Sequence, residues 1–375
     1  MGTMVVHERR RRNGPFSPPH GAVAFPDFPV DNTVIMNSRE RFFAALEGKS
    51  TDRLPLVPIS MMAAADAVGA LYGEYATDYR VQVRGQIAFA EKYDIDHVSA
   101  ISDPATEAAD CGATVLYYAD HPPALDEEHS LLRDKATLAK LTVPDPAAGR
   151  RMSNRLRVVE SLKEQVGNEK ILEGWIEGPV AQSCDLRGIN RIMLDFFDDP
   201  PFVQDLMEFV FELEMGYARA QVEAGADVIG VGDAAASLIG PDLYREFALP
   251  FHKRYVEELH KMGTLVRLHI CGNARPVLPF LRELHVDLVD LDSIVPVAEA
   301  RDQAGPEQVL TGNTDPVSVL RDATPERVRE AIAGCFEDAG RRAYMVAAGC
   351  EIPRDTPRDN LLALRDFARA KRPEV

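Results

Sequence analysis

Two residues that can bind a soft metal ion stand two positions apart at the end of an apolar run. The run covers residues 265–271 and ends in His269, Ile270 and Cys271, just before Gly272. In a β-strand, side chains alternate between the two faces, so His269 and Cys271 project to the same side. The spacing therefore predicts a nitrogen ligand and a sulfur ligand on one face of a strand.

Cys350 is a third candidate ligand. It follows a second apolar run, residues 343–348, and Gly349 before it permits a sharp turn of the backbone. Catalytic zinc sites usually have three protein ligands and a fourth position for water or substrate, and two thiolates with one imidazole are an accepted set. We therefore predict that His269, Cys271 and Cys350 bind one zinc ion. Taken alone, each residue is also consistent with an ordinary place in the core.

The ligand set indicates a type of chemistry. A thiol that arrives at the fourth position would lose its proton to the Lewis acid and remain electron-rich, because the two sulfur ligands already supply charge. The result is a thiolate nucleophile at neutral pH. Hydrolytic zinc sites more often use histidine and carboxylate ligands. The three residues therefore favour alkyl transfer to sulfur over hydrolysis.

The elements that must position these ligands alternate between strand and helix. Eight strands separated by helices predict a single α/β domain, a (β/α)8 barrel of the TIM type that spans residues 37–375. An open doubly wound sheet is the alternative, but no Gly-x-Gly-x-x-Gly follows a predicted strand. The predicted strands are 54–59, 97–101, 171–177, 227–232, 265–271, 288–292, 309–312 and 343–348. The predicted helices are 79–93, 154–166, 202–224, 242–262, 277–284, 326–339 and 357–370.

Two segments are predicted to lie outside the barrel. Residues 1–36 contain four consecutive arginines and many prolines and glycines without any periodicity, which predicts a disordered N-terminal arm. Ordered structure is expected to begin with a helix whose N-cap is Ser38. Residues 111–146 form an insertion after the second strand, and 114–119 are predicted as a hairpin strand within it.

Polar residues follow the predicted strands where the strands end. They are Glu177, Asp233, Asp290, Asp292 and Asn313. In a barrel the active site lies at the carboxyl ends of the strands, here called the mouth, so these side chains are expected to surround one opening. The alternative for Asp233 and Asp292 is a cap on the following helix, and for Asn313 a role in a turn.

Composition limits the partners and the compartment. The formal net charge of −17 disfavours a nucleic-acid-binding or anionic-membrane surface, because phosphate contacts need clustered lysine and arginine. No stretch approaches the run of about twenty apolar residues of a membrane span. The five cysteines are few and scattered, which indicates reduced thiols and a cytoplasmic protein. A homo-oligomer is compatible with the sequence, which does not determine the oligomeric state.

Several stretches together resemble the uroporphyrinogen decarboxylase superfamily. Within it, the His-x-Cys pair and the distal cysteine resemble those of the zinc-dependent methylcobamide methyltransferases, whose best-known members methylate coenzyme M. The superfamily fold is a (β/α)8 barrel, the fold that the strand count also predicts. The matching stretches are residues 39–42, 52–55, 177–179, 232–250, 269–273, 312–316 and 349–353.

The resemblance implies a reaction. By this resemblance, His269, Cys271 and Cys350 correspond to the zinc ligands of the methylcobamide methyltransferases. A methyl group would pass from a methylated corrinoid, a cobalamin-type cofactor on a separate carrier protein, to a zinc-activated acceptor. A thiol similar to coenzyme M is the family precedent, and tetrahydrofolate is a second option within one-carbon metabolism. Displacement from cobalt needs a nucleophile held close and aligned, which a rigid barrel rim provides.

The other polar residues at the mouth receive supporting roles by the same resemblance. Glu177 and Asp233 are expected as catalytic residues that orient His269 or contact the acceptor. Asp292 and Asn313 are expected beside them as substrate contacts. The sequence thus assigns seven residues to one site.

One segment departs from the decarboxylases of the superfamily. These resemble one another in an Arg-Gln-Ala-Gly-Arg segment that binds porphyrin carboxylates, whereas residues 59–65 read Ile-Ser-Met-Met-Ala-Ala-Ala. Without those arginines a poly-anionic porphyrinogen lacks its bidentate partners. Arg187, Arg267 and Arg275 are expected to be solvated at the surface, with the binding of an anionic group as the alternative.

Two other functions remain open at this point. The first is a decarboxylase or lyase that acts on a smaller substrate without an essential metal, with Asp233 as acid or base. The second is a non-catalytic protein that only docks a corrinoid carrier. Metal content separates the first from the methyltransferase, and turnover separates the second.

Overall fold

A computed structural model describes residues 35–374. Within them the fold is α/β, and its main sheet has seven parallel strands, each hydrogen-bonded to the next strand of that sheet along the chain. The strands are arranged in chain order in a curled sheet. Because they are parallel, their carboxyl ends all lie at the same end of the sheet. The strands of this sheet are β1 His97–Ser99, β4 Ile171–Glu177, β5 Val228–Gly232, β6 Leu265–Ile270, β7 Leu288–Leu291, β8 Val309–Thr311 and β9 Tyr344–Met345.

The predicted first strand, residues 54–59, is an extended segment rather than a regular strand. The N–H of Val57 donates to Val346 O at 2.8 Å, and on the other side the N–H of Asp96 donates to Leu56 O at 2.9 Å. The segment therefore lies between β9 and β1, the two edge strands of the curled sheet, where an eighth strand would be expected. Its two prolines, Pro55 and Pro58, have no N–H to donate, which explains why a full ladder does not form.

Helices cover the outside of the sheet. The α-helices of the described chain are α1 Ser38–Leu46, α2 Met62–Ala67, α3 Tyr72–Thr77, α4 Tyr79–Tyr93, α5 Thr106–Asp110, α6 Arg150–Val166, α7 Pro179–Arg187, α8 Ile189–Asp198, α9 Pro200–Ala224, α10 Gly240–Leu243, α11 Leu249–Lys261, α12 Leu281–Leu284, α13 Val297–Ala304, α14 Pro325–Asp338 and α15 Arg358–Ala370. Short 3-10 helices cover Lys135–Lys140, Ala234–Ser237 and Arg275–Phe280, and π-helical turns cover Tyr244–Ala248 and Pro316–Arg321.

Two helical predictions need correction. The N-cap of α1 is Asn37, not Ser38, because Asn37 Oδ1 accepts from the N–H of Glu40 at 2.9 Å while the Glu40 carboxylate accepts from the N–H of Asn37. The single helix predicted over 242–262 is interrupted by a π-helical turn at Tyr244–Ala248. Pro250 lies in the first turn of α11 and cannot donate the hydrogen bond that would continue one regular helix through this point.

An apolar layer closes the end of the curled sheet opposite the mouth. Phe42 and Phe43 of α1 pack there against inward-facing residues of the strands and of residues 54–59. The inward-facing partners are Val57, Ile171, Val228, Leu265, Leu288, Val309 and Met345. This layer leaves the opposite end, at the carboxyl ends of the strands, for the polar residues.

The segment predicted as an insertion contains a hairpin. Strand β2, Val115–Leu116, pairs antiparallel with β3, Ala124–Leu125, apart from the main sheet. The predicted N-terminal arm, residues 1–36, falls almost entirely outside the described residues. No helix within residues 35–374 combines the length and the apolar character needed to cross a bilayer.

Candidate metal centre

The structure brings together the three residues predicted as zinc ligands. His269 lies near the end of β6, Cys271 follows that strand, and Cys350 lies in the loop after β9. His269 Nε2 is 2.9 Å from Cys271 Sγ, and Cys271 Sγ is 3.8 Å from Cys350 Sγ. The three donor atoms all lie within 4.8 Å of one another, a separation that one bound cation can bridge.

Glycines allow the two ligand-bearing loops to approach each other. Gly272 has φ +77°, a left-handed conformation that turns the chain directly after Cys271. A Cβ atom at Gly349 would lie 2.5 Å from the backbone nitrogen of Ser293, so only glycine lets the Cys350 loop pass this close to the end of β7. The N–H of Gly349 also donates to Thr314 O at 2.9 Å. Both cysteines are therefore held by backbone geometry.

A buried carboxylate lies behind the imidazole. His269 Nδ1 is 3.3 Å from Asp290 Oδ2, which leaves Nε2 directed at the two sulfurs. Asp290 is itself fixed, because Oδ2 accepts from Arg267 Nη2 at 2.7 Å and Oδ1 accepts from Thr311 Oγ1 at 2.7 Å. Arg267 donates its other terminal nitrogen to Glu173 Oε1 at 3.1 Å. Carboxylates in this position set the tautomer and orientation of a metal-binding histidine.

Asp290 and Arg267 have roles that the sequence did not predict. Arg267 was expected at the surface, yet its side chain is 2% exposed and faces the inside of the curled sheet. Arg187 is also buried, with Nε 2.6 Å from Asp195 Oδ2, whereas Arg275 is exposed and pairs with Glu299. The period-two spacing of Arg267 and His269 was a signal, because it puts both on the inner face of β6.

The electrostatics of the cluster suit a soft cation. The hydrogen bond with Cys271, with a further contribution from His269, lowers the pKa of Cys350 to about 4, although burial opposes this. The hydrogen bond to Cys350, followed by burial, raises the pKa of Cys271. Burial alone would lower the pKa of His269, but the charges of Cys271 and Asp290 outweigh it and raise that pKa. These shifts favour a Cys350 thiolate beside a protonated His269 imidazole. A bound zinc ion would take the place of that proton, and the donor set fits zinc.

Asp233 and His269 meet only through their backbones. The N–H of Asp233 donates to His269 O at 2.9 Å. Its fully buried carboxylate accepts from the N–H of Ala181 at 2.7 Å and lies 2.9 Å from His252 Nε2. Asp233 therefore caps α7, the helix after the neighbouring strand, and not the helix that follows it in the chain.

Asp292 and Asn313 connect the loops at the mouth. Asp292 Oδ2 accepts from the N–H of Gly272 at 2.8 Å, which holds the loop after Cys271. Asn313 donates through Nδ2 to Asp292 O at 2.9 Å, and to Val295 O. These contacts are with the protein itself, so the two residues shape the ligand-bearing loops.

Glu177 lies at the mouth without contact to the imidazole of His269. Trp175 Nε1 donates to Glu177 Oε1 at 3.2 Å. Burial, together with the charges of Glu107 and Asp185, raises the pKa of Glu177 well above its usual value. This carboxyl group belongs to a second polar cluster, beside the metal centre.

The second cluster is acidic and was missed in the sequence. Glu107 of α5 forms an ion pair with Arg155 at 3.1 Å, and Glu214 of α9 forms no ion pair with any described residue. Burial raises the pKa of Glu107 to about 7. Burial, followed by the charges of Glu107 and Glu177, raises the pKa of Glu214 well above its usual value. The residues of this acidic cluster come from elements far apart in the chain, so no local spacing in the sequence indicates them.

Glu214→Gln is expected to make the fold less sensitive to alkaline pH. An acid whose pKa is raised in the folded state stabilises that state below the unfolded pKa of about 4.3, and this contribution is lost as pH rises through the folded pKa. The stability of the variant relative to wild type should therefore increase from pH 6 to pH 8, by roughly 1 kcal/mol per pH unit at most. Urea unfolding at several pH values measures this.

The matched control is Glu212→Gln, an exposed acid on the same helix. We expect its stability difference from wild type to be flat across this pH range. A flat difference for both variants would show that Glu214 is ionised in the folded protein at pH 6.

Comparisons with known proteins agree with this architecture. The family model described as uroporphyrinogen decarboxylase (URO-D) matches residues 37–371. A methylcobamide:CoM methyltransferase of Methanosarcina mazei is 28% identical over 338 residues, which are 88% of this chain and 97% of that protein. A methylcobamide:CoM methyltransferase of Methanosarcina barkeri is 26% identical and covers 87% of this chain and 96% of its own length.

Decarboxylases and a solved structure are also similar. The uroporphyrinogen decarboxylase of Trichlorobacter lovleyi is 26% identical over 344 residues, 85% of this chain and 95% of that protein. The structure of a methyltransferase from Methanosarcina mazei superposes with a TM-score of 0.81 at 23% identity, and covers 89% of this chain and 98% of its own. That likeness shows a shared fold. With the match over residues 37–371, the chain belongs to the uroporphyrinogen decarboxylase family, and within it resembles the methylcobamide:CoM methyltransferases.

Proposed function

We propose that this protein is a zinc-dependent methyltransferase that moves a methyl group from a methylated corrinoid to a thiol. The observation that carries the proposal is the convergence of one imidazole and two sulfurs within 4.8 Å at the mouth. Relatives named methylcobamide:CoM methyltransferases, similar over nearly their whole length, support the same chemistry. Tetrahydrofolate is the second candidate acceptor. The fold we propose is one complete (β/α)8 barrel over residues 37–375, in a cytoplasmic protein.

His269, Cys271 and Cys350 would hold the zinc ion. Bound there, zinc would supply a Lewis acid that lowers the pKa of an incoming thiol. The carboxylate of Asp290 fixes the imidazole so that Nε2 points at the site, and Arg267 keeps that carboxylate ionised and in place. The loops after β6 and β9 hold the two sulfurs at a fixed separation, which favours an aligned approach of the reactants.

The methyl group would transfer in a single displacement. The acceptor S–H bond breaks and its proton passes to solvent, the S–CH3 bond forms, and the Co–CH3 bond breaks with its electron pair remaining on cobalt. A carrier protein that presents the corrinoid would have to reach the mouth, where Cys271 and Cys350 are half-buried. Glu177, at the mouth two strands from His269, is the candidate for a contact with the acceptor.

Metal analysis and a demethylation assay test the proposal together. We expect about one zinc per chain after purification, as for other sites of this composition. We also expect demethylation of methylcobalamin, followed by its visible absorbance, when a thiol is added. A metal-free protein with no demethylation would contradict the proposal. Zinc with turnover by a folate but by no thiol would leave the metal centre in place and overturn the acceptor.

A further inference from the structure

Four apolar side chains lie together at the mouth. Trp175 of β4, Ile101 after β1 and Ile59 of the extended segment form one buried cluster, and Met61 packs against it. We refer to these four residues as the apolar wall. Three of them are nearly completely buried, and Met61 remains partly exposed. Met61 is therefore the member of the apolar wall that an entering substrate can reach, and its thioether covers a buried apolar surface.

The apolar wall begins next to His269. A Cβ atom at Gly232 would lie 2.7 Å from Trp175 Cζ2, so the indole occupies the space that the glycine leaves empty. The indole covers Gly230 in the same way. Gly232 pairs with His269 between β5 and β6, and residues paired in this way point to the same face of the sheet. The indole thus lies one strand away from the imidazole.

The apolar wall ends next to Cys350. The N–H of Ile352 donates to Ile59 O at 3.0 Å, and the N–H of Met62 donates to Glu351 Oε1 at 2.7 Å. Glu351 directly follows Cys350. The segment that carries Ile59 and Met61 is therefore tied to the loop that carries the ligand. Together with Trp175, it links the two ligand-bearing strands around the far side of the mouth.

The arginines nearest in sequence to the three candidate ligands, Arg267, Arg275 and Arg354, are already paired with acids. Arg267 lies 2.7 Å from an Asp290 oxygen and Arg275 lies 2.8 Å from a Glu299 oxygen. Arg354 pairs with both Asp66, at 2.9 Å, and Asp120, at 2.7 Å. An anionic group on a substrate would have to displace one of these acids to gain a cationic partner.

Two acidic side chains at the mouth have no cationic partner within residues 35–374. Glu177 and Glu351 form no ion pair with any residue in the described part of the chain. Glu177 touches the indole of Trp175, and Glu351 adjoins Cys350. A sulfonate or carboxylate placed between them would lose its hydration without gaining a cationic partner.

We propose that the methyl acceptor is an uncharged alkyl or aryl thiol, whose apolar part packs against Trp175 and Met61. The proposal rests on the proposed function and narrows its acceptor from thiols in general. Apolar groups gain free energy by leaving water for such a surface, whereas an anionic thiol gains no partner there. Met61 is the residue that sets this preference, because it is the partly exposed member of the apolar wall.

Three two-carbon thiols that differ only in their end group test the proposal, with thiophenol as a fourth, aromatic thiol. The three are 2-mercaptoethanol, 2-mercaptoethanesulfonate and 2-mercaptoethylamine, which carry a neutral, an anionic and a cationic end. With methylcobalamin as donor, we expect kcat/KM for the neutral thiol to exceed that for the sulfonate by about tenfold or more, and thiophenol to be better still. A sulfonate equal to or better than the neutral thiol would overturn the proposal. So would a preference for the cationic thiol.

A pair of variants tests whether Met61 determines the preference for an uncharged thiol. Met61→Arg should raise kcat/KM for the sulfonate relative to 2-mercaptoethanol by about tenfold, because it adds an unpaired cation at the mouth. Met262→Arg, the same exchange at a partly exposed methionine after α11, should leave that ratio unchanged. An unchanged ratio in both variants would remove Met61 from the acceptor site.

Binding to cobalt-substituted protein separates failure of this inference from failure of the proposed function. Thiolate coordination changes the absorption spectrum of Co²⁺, so dissociation constants of the same thiols can be ranked without turnover. If no thiol demethylates methylcobalamin but the neutral thiol still binds most tightly, the function is wrong and the preference of the site stands. If turnover occurs and the sulfonate binds most tightly, the function stands and this inference is wrong.

Discussion

Cys350→Ala is expected to abolish metal binding and methyl transfer while the fold persists. Cys350 supplies one of three converging donor atoms, 3.8 Å from Cys271 Sγ. Two remaining ligands cannot hold a catalytic zinc ion in the usual three-ligand geometry. A bound Lewis acid contributes several kcal/mol to the transition state, so we expect a fall in rate of at least about 1000-fold, or about 4 kcal/mol. Zinc content and the demethylation rate of the purified variant measure the two effects.

Cys111→Ala is the control for this variant. Cys111 is also a free, partly exposed cysteine, but it lies beyond α5 and outside the candidate metal centre. It should keep about one zinc per chain and wild-type activity. Full zinc content in the Cys350→Ala protein would show that the cation is held elsewhere.

The sequence predicts elements well where one periodic pattern runs without interruption. The predicted bounds of α4, Tyr79–Tyr93, and of β4, Ile171–Glu177, agree with the structure at both ends. Prediction failed where proline interferes. Residues 54–59 have the apolar character of a strand but two prolines reduce them to an extended segment, and Pro250 accompanies the break in the helix predicted over 242–262.

The three candidate metal ligands could be selected from the sequence because of their residue types. Cysteine and histidine at strand ends have few roles, so His269, Cys271 and Cys350 could be selected without knowing which strands are neighbours. The role of Asp290 depends instead on the register of β6 against β7, which pairs it with His269. Carboxylates end several strands, and nothing local distinguishes Asp290 from Asp292.

Tertiary packing also determines which charged residues are buried. Arg267 lies in an apolar run, and its burial becomes intelligible only when Glu173 and Asp290 from two other strands surround it. The buried acids Glu107 and Glu214 come from helices more than a hundred residues apart in the chain. Such clusters are determined by the packing of the whole fold, and no local sequence pattern predicts them.

Asp290→Asn is expected to weaken both zinc binding and the fold. The asparagine keeps the size of the side chain but cannot balance the charge of Arg267, and it removes the negative charge that lies 3.3 Å from His269 Nδ1. Removing the carboxylate behind a metal-binding histidine typically lowers metal affinity by about 10–100-fold. Breaking a buried ion pair costs about 3–5 kcal/mol, an upper value here because Arg267 keeps Glu173 as a partner.

Glu173→Gln separates these two effects, because Glu173 also pairs with Arg267, at 3.1 Å, while the carboxylate next to His269 is Asp290. We expect it to lower the free energy of unfolding by an amount similar to Asp290→Asn, since each removes one of the two acids on the same buried guanidinium. Its zinc affinity should stay within about threefold of wild type, because Asp290 remains to orient the imidazole. Urea unfolding and zinc competition with a chelator measure the two quantities on the same samples. Equal losses of zinc affinity in both variants would mean that Arg267 and its acids act on the metal centre through general loosening of the fold, and not through the orientation of His269.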